Sequence, residues 1–233
     1  MYRISRFLCF KNQETFARRF CLIIIKKKEK GEKTMDLEKL KKNVTARGLE
    51  FFYAATAEEA KQHLLEQVQN TTVGIGGTKT VDQLGLYEEL CKTNEVHWHW
   101  KDGVHPEVYR AAEDAEVYLS SVNGIAETGE LVNIDGRGNR VAALSFAEGK
   151  RVFLLASTKK VCPDLSSAME RARTVAAPAN VPKMPGNRPC NTTGQCWDCR
   201  SPARGCCVMQ IIMFRPMNAK QYELILIDED LGF

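Results

Sequence analysis

No stretch of this chain is apolar for long enough to span a membrane as a helix. The run Cys21-Leu22-Ile23-Ile24-Ile25 is also too brief for the hydrophobic region of a secretory signal, and no small-residue cleavage site follows it. Without a secretory route the nine cysteines do not read as a disulfide scaffold, because cytoplasmic thiols are kept reduced. A cytoplasmic location is therefore expected, with each cysteine either packing or doing chemistry. No internal repeat is present.

Excess positive charge is missing too, once the first 34 residues are set aside. The chain has 33 Lys/Arg and 29 Asp/Glu; residues 1–34 hold ten and three of them, which leaves 23 and 26 in residues 35–233. A mildly acidic body offers no electrostatic footprint, so neither nucleic acid nor a membrane is an expected partner. Residues 28–34 back-translate into a purine-rich run like a bacterial ribosome-binding site just before Met35. The expected domain is thus residues 35–233, with residues 1–34 a mis-assigned or disordered leader.

What is present is an alternation of elements. Residues 36–48 read as a helix with Leu37, Leu40 and Val44 on one face and Gly48 at its end. A buried strand at 51–54 precedes a helix over 57–69, which Thr56 and Glu59 open as a capping box, and a second strand at 71–75. The pattern continues as helix 81–92, strand 95–100, helix 106–115 with Pro106 in its first turn, and strand 117–121. Single helices between strands make βαβ units, so the fold class is α/β: an open, largely parallel sheet with helices on both faces.

After Ser121 three strands are expected in close succession, at 131–135, 141–145 and 151–156, with Gly136-Arg137-Gly138-Asn139 as a turn between the first two. A helix over 163–176 follows. Residues 177–205 are rich in Pro, Gly, Asn and Cys and predict a Cys-rich loop inserted near the C-terminus, which strands at 208–214 and 222–227 return to the sheet.

Three segments carry candidate chemistry. Gly74-Ile75-Gly76-Gly77-Thr78-Lys79-Thr80 joins a strand to a helix; glycines let a ligand approach the backbone, so this is either an anion cradle or a tight turn that binds nothing. It is neither a dinucleotide fingerprint nor a Walker loop, whose glycine and Gly-Lys-Ser/Thr spacings it lacks. Asn123-Gly124-Ile125-Ala126-Glu127-Thr128-Gly129-Glu130 follows a strand expected to be central, and Glu127 there is a candidate base, nucleophile or ligand-orienting carboxylate, or part of a hydrogen-bonded turn.

The third is Cys190-x5-Cys196-x2-Cys199-x6-Cys206, followed at once by Cys207. Four thiolates in a Pro/Gly-rich loop can close on one metal centre, either zinc or an iron–sulfur cluster, since the spacing is neither a paired zinc ribbon nor a ferredoxin run. A thiol–disulfide role and plain packing are the alternatives. Cys91 and Cys162 read as packing residues. His97-Trp98-His99-Trp100 on a strand would place the two histidines on one face and the two tryptophans on the other. Arg137, Arg140, Lys159 and Lys160 either add charge over an anion or form a solvated face.

Ala126-Glu127-Thr128-Gly129, followed by Gly138-Asn139-Arg140-Val141-Ala142-Ala143-Leu144, resembles the LUD domain of lactate-utilisation proteins. With the Gly74 loop it also resembles the wider superfamily of sugar-phosphate isomerases, CoA transferases and formyltetrahydrofolate cyclo-ligases. The likeness covers about residues 36–227 and implies a site where Gly74, Gly76, Gly77, Thr78 and Lys79 face Glu127, Thr128 and Gly129, with Asn139 and Arg140 beside them. It implies a small anionic metabolite, a hydroxy or keto acid or a sugar phosphate, and no particular reaction. The competing expectation is a metal-bearing, non-catalytic component docked to the partner subunits of an oxidoreductase.

Overall fold

The structure is a computed structural model and describes residues 35–233; the leader expected at residues 1–34 lies outside them. Six strands form one all-parallel sheet: β1 (Glu50–Ala54), β2 (Thr72–Ile75), β3 (Glu95–His97), β4 (Val117–Ser120), β7 (Arg151–Ser157) and β10 (Gln221–Ile227). Their order across the sheet is β1-β10-β7-β4-β2-β3. The central strands are near-continuous apolar runs, as strands covered on both faces must be: all of β4 is buried, and six of the seven residues of β7 and of β10.

One face packs Leu119, Phe153 and Ile225 against Ala60 and Leu64 of the helix Ala57–Gln67 (α2), with Leu86 and Leu90 of a later helix in the same core. Helix α1 (Leu37–Ala46) precedes β1, as its spacing predicts. On the other face the helix Pro106–Asp114 (α5) comes so close to β2 that a Cβ on Gly74 would lie 1.9 Å from the Ala112 carbonyl oxygen. Gly74 is therefore explained by helix–strand packing.

A second, four-stranded sheet runs in the order β8-β5-β6-β9, with β5 (Gly124–Ala126), β6 (Leu131–Asp135), β8 (Val161–Cys162) and β9 (Val208–Ile212). β9 therefore leaves the main sheet and pairs antiparallel with β6; of the last two expected strands only β10 joins the large sheet.

The expected strand at 141–145 is instead part of a helix, α6 (Asn139–Ser145). Its cap lies outside the apolar run: Asp135 Oδ2 accepts from the backbone N–H groups of Arg140 (3.1 Å) and Val141 (3.2 Å). Gly138, at φ +87°, supplies the left-handed entry. The expected helix 81–92 is two short helices, α3 (Lys79–Gln83) and α4 (Leu86–Leu90), broken at Gly85 with φ +62°. The strand expected at 95–100 ends at His97, so the His/Trp alternation does not hold: Trp98 is buried, and its Nε1 donates to Gly76 O at 3.0 Å.

The expected helix at 163–176 runs on, as α7 (Leu165–Arg171), a π turn (Ala172–Ala176) and α8 (Ala177–Asn180). A further short helix, α9 (Pro189–Thr193), interrupts the Cys-rich loop. Cys162 packs with Ala126, Val132 and Ala168 as expected, whereas Cys91 is exposed at the end of α4. Among the described residues no helix is long and apolar enough to cross a membrane.

Candidate functional site

Gly77, Thr78 and Thr80 beyond β2, Ser121 beyond β4 and Lys160 beyond β7 line one cavity of about 730 Å³. Those three strands are neighbours in the sheet. The cavity thus lies across the carboxyl ends of adjacent parallel strands, where open α/β sheets hold ligands. His99, Trp100 and Tyr109 form part of its wall, and Ala177, Val181 and Gly205 of the Cys-rich segment another.

Six cations line this cavity against two acids, Asp82 and Asp135. Four of the six are committed to the protein. Lys79 pairs with Asp82 at 2.5 Å. Arg140 is buried and donates to Ser121 O (3.0 Å), Asn133 Oδ1 (2.6 Å), Asn123 Oδ1 (3.1 Å) and Ile134 O (2.7 Å). Arg188 holds the Cys-rich segment together through backbone carbonyls, among them those of Val181, Met184 and Gly186 at 3.1 Å each. Arg204 pairs with Asp198 at 2.8 Å and donates to the carbonyls of Cys199 and Cys206.

Arg137 and Lys160 are different. Among the described residues neither is paired with a carboxylate; Arg137 lies over the Tyr109 ring, 5.6 Å from its centroid. Lys160 is only 3% exposed, and its ammonium donates to Ser121 Oγ at 2.9 Å and Thr80 Oγ1 at 3.3 Å. Burial first, then the charges of Arg171, Arg140 and Lys159, bring its pKa from the ordinary 10.5 down to about 7. The solvated charge face allowed for from the sequence fits Lys159, an exposed partner of Asp230, and exposed Arg137, and not the buried Arg140 and Lys160.

Thr78 also lines this cavity, and its Oγ1 is itself buried. Among the described residues it is the single buried side-chain nitrogen or oxygen without a hydrogen-bond partner, although Thr78 stands at the N-cap of α3 where such a hydroxyl usually caps. A neighbouring wall residue, His99, has its pKa lowered by burial and then by Arg137.

The residues expected from the sequence divide between two places. Gly77, Thr78, Lys79, Asn139 and Arg140 line the cavity. Gly74 and Gly76 sit beneath it; a Cβ on Gly76 would meet Tyr118 Oη at 3.0 Å and Arg140 Cδ at 3.1 Å. Glu127, Thr128 and Gly129 form the turn between β5 and β6 and pack on α1. Glu127 Oε2 lies 3.3 Å from Lys39 Nζ, its carbonyl accepts from Asn43 Nδ2 at 2.6 Å, and the Thr128 carbonyl accepts from Arg47 Nε at 2.8 Å. They are not part of the cavity wall. Ser121 and His99 line the cavity but were missed as candidates. Ser121 had a signal, its place directly after a central strand; His99 had none, because the strand was expected to continue through it.

Cys190, Cys196, Cys199 and Cys206 line a second, small recess of about 20 Å³, with Trp197 above them and Ala177 and Val181 shared with the large cavity. Burial raises the pKa of Cys206 against the opposing pull of Arg204, and Cys196 and Cys199 add smaller increases. Among the described residues no three His, Cys, Asp or Glu side chains converge at the spacing of metal ligands. The donor set itself, four thiols around one recess, is of the kind that takes zinc or an iron–sulfur cluster.

The class is thus an open, parallel α/β sheet with a cation-lined cavity over its strand ends. Residues 37–227 match the LUD domain, and the chain belongs to that family. Among solved structures it is similar to a DUF162 family protein from Deinococcus radiodurans, at 10% identity and a TM-score of 0.49, over 82% of this chain and 95% of that one. No curated protein matches it.

Proposed function

We propose that the chain binds a small anionic metabolite, a hydroxy or keto acid or a sugar phosphate, in the cavity over β2, β4 and β7, and serves organic-acid oxidation of the lactate type. One observation carries this reading: among the described residues two cations without a carboxylate partner, buried Lys160 and exposed Arg137, line the same cavity as Thr78, whose buried hydroxyl has no partner. The buried charge of Lys160 and the orphaned hydroxyl of Thr78 are unfavourable unless a ligand completes them, and Arg137 adds an accessible cation at the same cavity. The family's link to lactate utilisation supports a carboxylate, and the wider superfamily likeness keeps a phosphate among the candidates.

Thermal unfolding with lactate, pyruvate, ribose 5-phosphate and the uncharged analogue lactamide tests it. At least one anion should raise the melting temperature, lactamide should not, and Arg137→Glu should remove the effect. Equal behaviour of anions and lactamide would reject the proposal.

A second reading is supported by the shared recess of the four cysteines. As thiolates they would hold a zinc ion, ordering the loop around 190–206, or an iron–sulfur cluster, able to exchange electrons with partner subunits of an oxidoreductase. Anaerobic purification followed by metal analysis decides it. Stoichiometric zinc in colourless protein makes the site structural; visible absorption bleached by dithionite makes it redox-active; neither metal rejects the reading.

A further inference from the structure

We propose that Lys160 is a covalent carbonyl-binding residue, whose amine condenses with the ketone or aldehyde carbon of a 2-oxo acid held in the cavity. The inference rests on the anionic-metabolite reading and names its chemical class. Lys160 ends the turn Thr158–Lys160 after β7, is 3% exposed, and its side chain reaches the cavity wall between the hydroxyls of Thr80 and Ser121. The end of the chain passes over it: a Cβ on Gly232 would lie 2.9 Å from Nζ. Such a lysine is dry, fixed in direction and held by neutral partners.

The charges that act on it most strongly all have its own sign. Arg171, anchored on Asn123 O at 2.5 Å and Phe233 O at 3.2 Å, Arg140 below and Lys159 beside it oppose protonation. The pKa of about 7 leaves a large share of free amine at neutral pH, where a lysine in water is almost wholly ammonium. A flanking cation is one of the devices that make lysine a nucleophile. Arg137 supplies a separate cation for the carboxylate of the same molecule.

The step balances without an oxidant. The Nζ lone pair forms a C–N bond to the carbonyl carbon, the C=O π pair moves to oxygen, and that oxygen takes a proton from nitrogen to give a carbinolamine. The hydroxyl then leaves as water with one proton supplied, and the nitrogen lone pair closes the C=N bond. The hydroxyls of Thr80 and Ser121 are placed to relay those protons, and the reaction reverses by hydrolysis.

The test uses the full chain with pyruvate and, separately, glyoxylate, each trapped with cyanoborohydride and mapped by peptide mass. A reduced adduct at Lys160, at roughly ten times or more the level at any other lysine, is expected from its larger free-amine fraction. Lys160→Arg should abolish it, and yield on the wild type should fall on lowering the pH through about 7. No adduct, or one spread evenly over exposed lysines, overturns the proposal. Protection against heat by lactate, which has no carbonyl carbon to condense, reports on the cavity alone. Lactate protection without an adduct defeats the imine and leaves the anion site standing; no protection and no adduct defeat both.

Discussion

Lys160 donates to the Ser121 hydroxyl at 2.9 Å and so links the segment after β7 to the end of β4 in the cavity wall. A buried ammonium with hydroxyl partners and cationic neighbours is destabilising for the fold alone. It makes physical sense where an incoming anion or carbonyl supplies the missing interaction.

Replacing that lysine should therefore stabilise the empty protein. The unfolded chain holds the Lys160 proton up to about pH 10.5, whereas the folded chain releases it near pH 7. Between these values the unfolded state binds more protons, so this group's penalty is complete below pH 7 and fades as pH rises towards 10.5. Lys160→Met should gain about 2 kcal/mol or more at pH 7, and less at pH 10. Denaturant unfolding at both pH values checks this; a variant less stable at pH 7 would contradict it.

Arg140 behaves in the opposite way because its guanidinium is satisfied. Arg140→Met strips the donors from Ser121 O, Asn133 Oδ1, Asn123 Oδ1 and Ile134 O. A loss of about 3 kcal/mol is expected, from buried acceptors left unpaired. Denaturant midpoints measure it, and a loss under about 1 kcal/mol would show that water replaces the guanidinium easily.

Two glycines of one loop should separate packing from binding. A Cβ on Gly74 would collide with the Ala112 carbonyl at 1.9 Å, whereas on Gly77 it would approach Trp100 Nε1 no closer than 3.4 Å, at the cavity wall. Gly74→Ala should cost about 3 kcal/mol. Gly77→Ala should fold and lose ligand-induced thermal stabilisation; a Gly77→Ala protein with wild-type protection would place the ligand elsewhere.

Glu127 makes an ion pair with a largely exposed Lys39, and such pairs contribute at most about 1 kcal/mol. Glu127→Gln should shift stability by less than that and leave anion binding in the cavity intact. Loss of binding in that variant would move the site to the β5–β6 turn.

The parallel sheet was legible because βαβ spacing and unbroken apolar strands are local signals. Thr78, Lys79 and Arg140, which the structure places on the cavity wall, were legible as candidates because they follow glycine turns. The exchange of β9 into a second sheet was not, since antiparallel pairing of Ile211 with Val132 depends on partners nearly 80 residues apart. Helix α6 was misread because its cap, Asp135, precedes the apolar run by several residues. Lys160 could equally have been one charge of a solvated face with Arg137, Arg140 and Lys159; its burial follows from the turn after β7, which sends Lys159 outward and Lys160 inward.

The most direct test is calorimetric titration at pH 7.5 with whichever of lactate, pyruvate or inorganic phosphate protects best, repeated in two buffers of different ionisation enthalpy. An anion received beside Lys160 and Arg137 must raise the Lys160 pKa, so binding should take up a fraction of a proton, and Lys160→Met should abolish the uptake. Binding with the same heat in both buffers, or no binding of any of the three, would contradict the account.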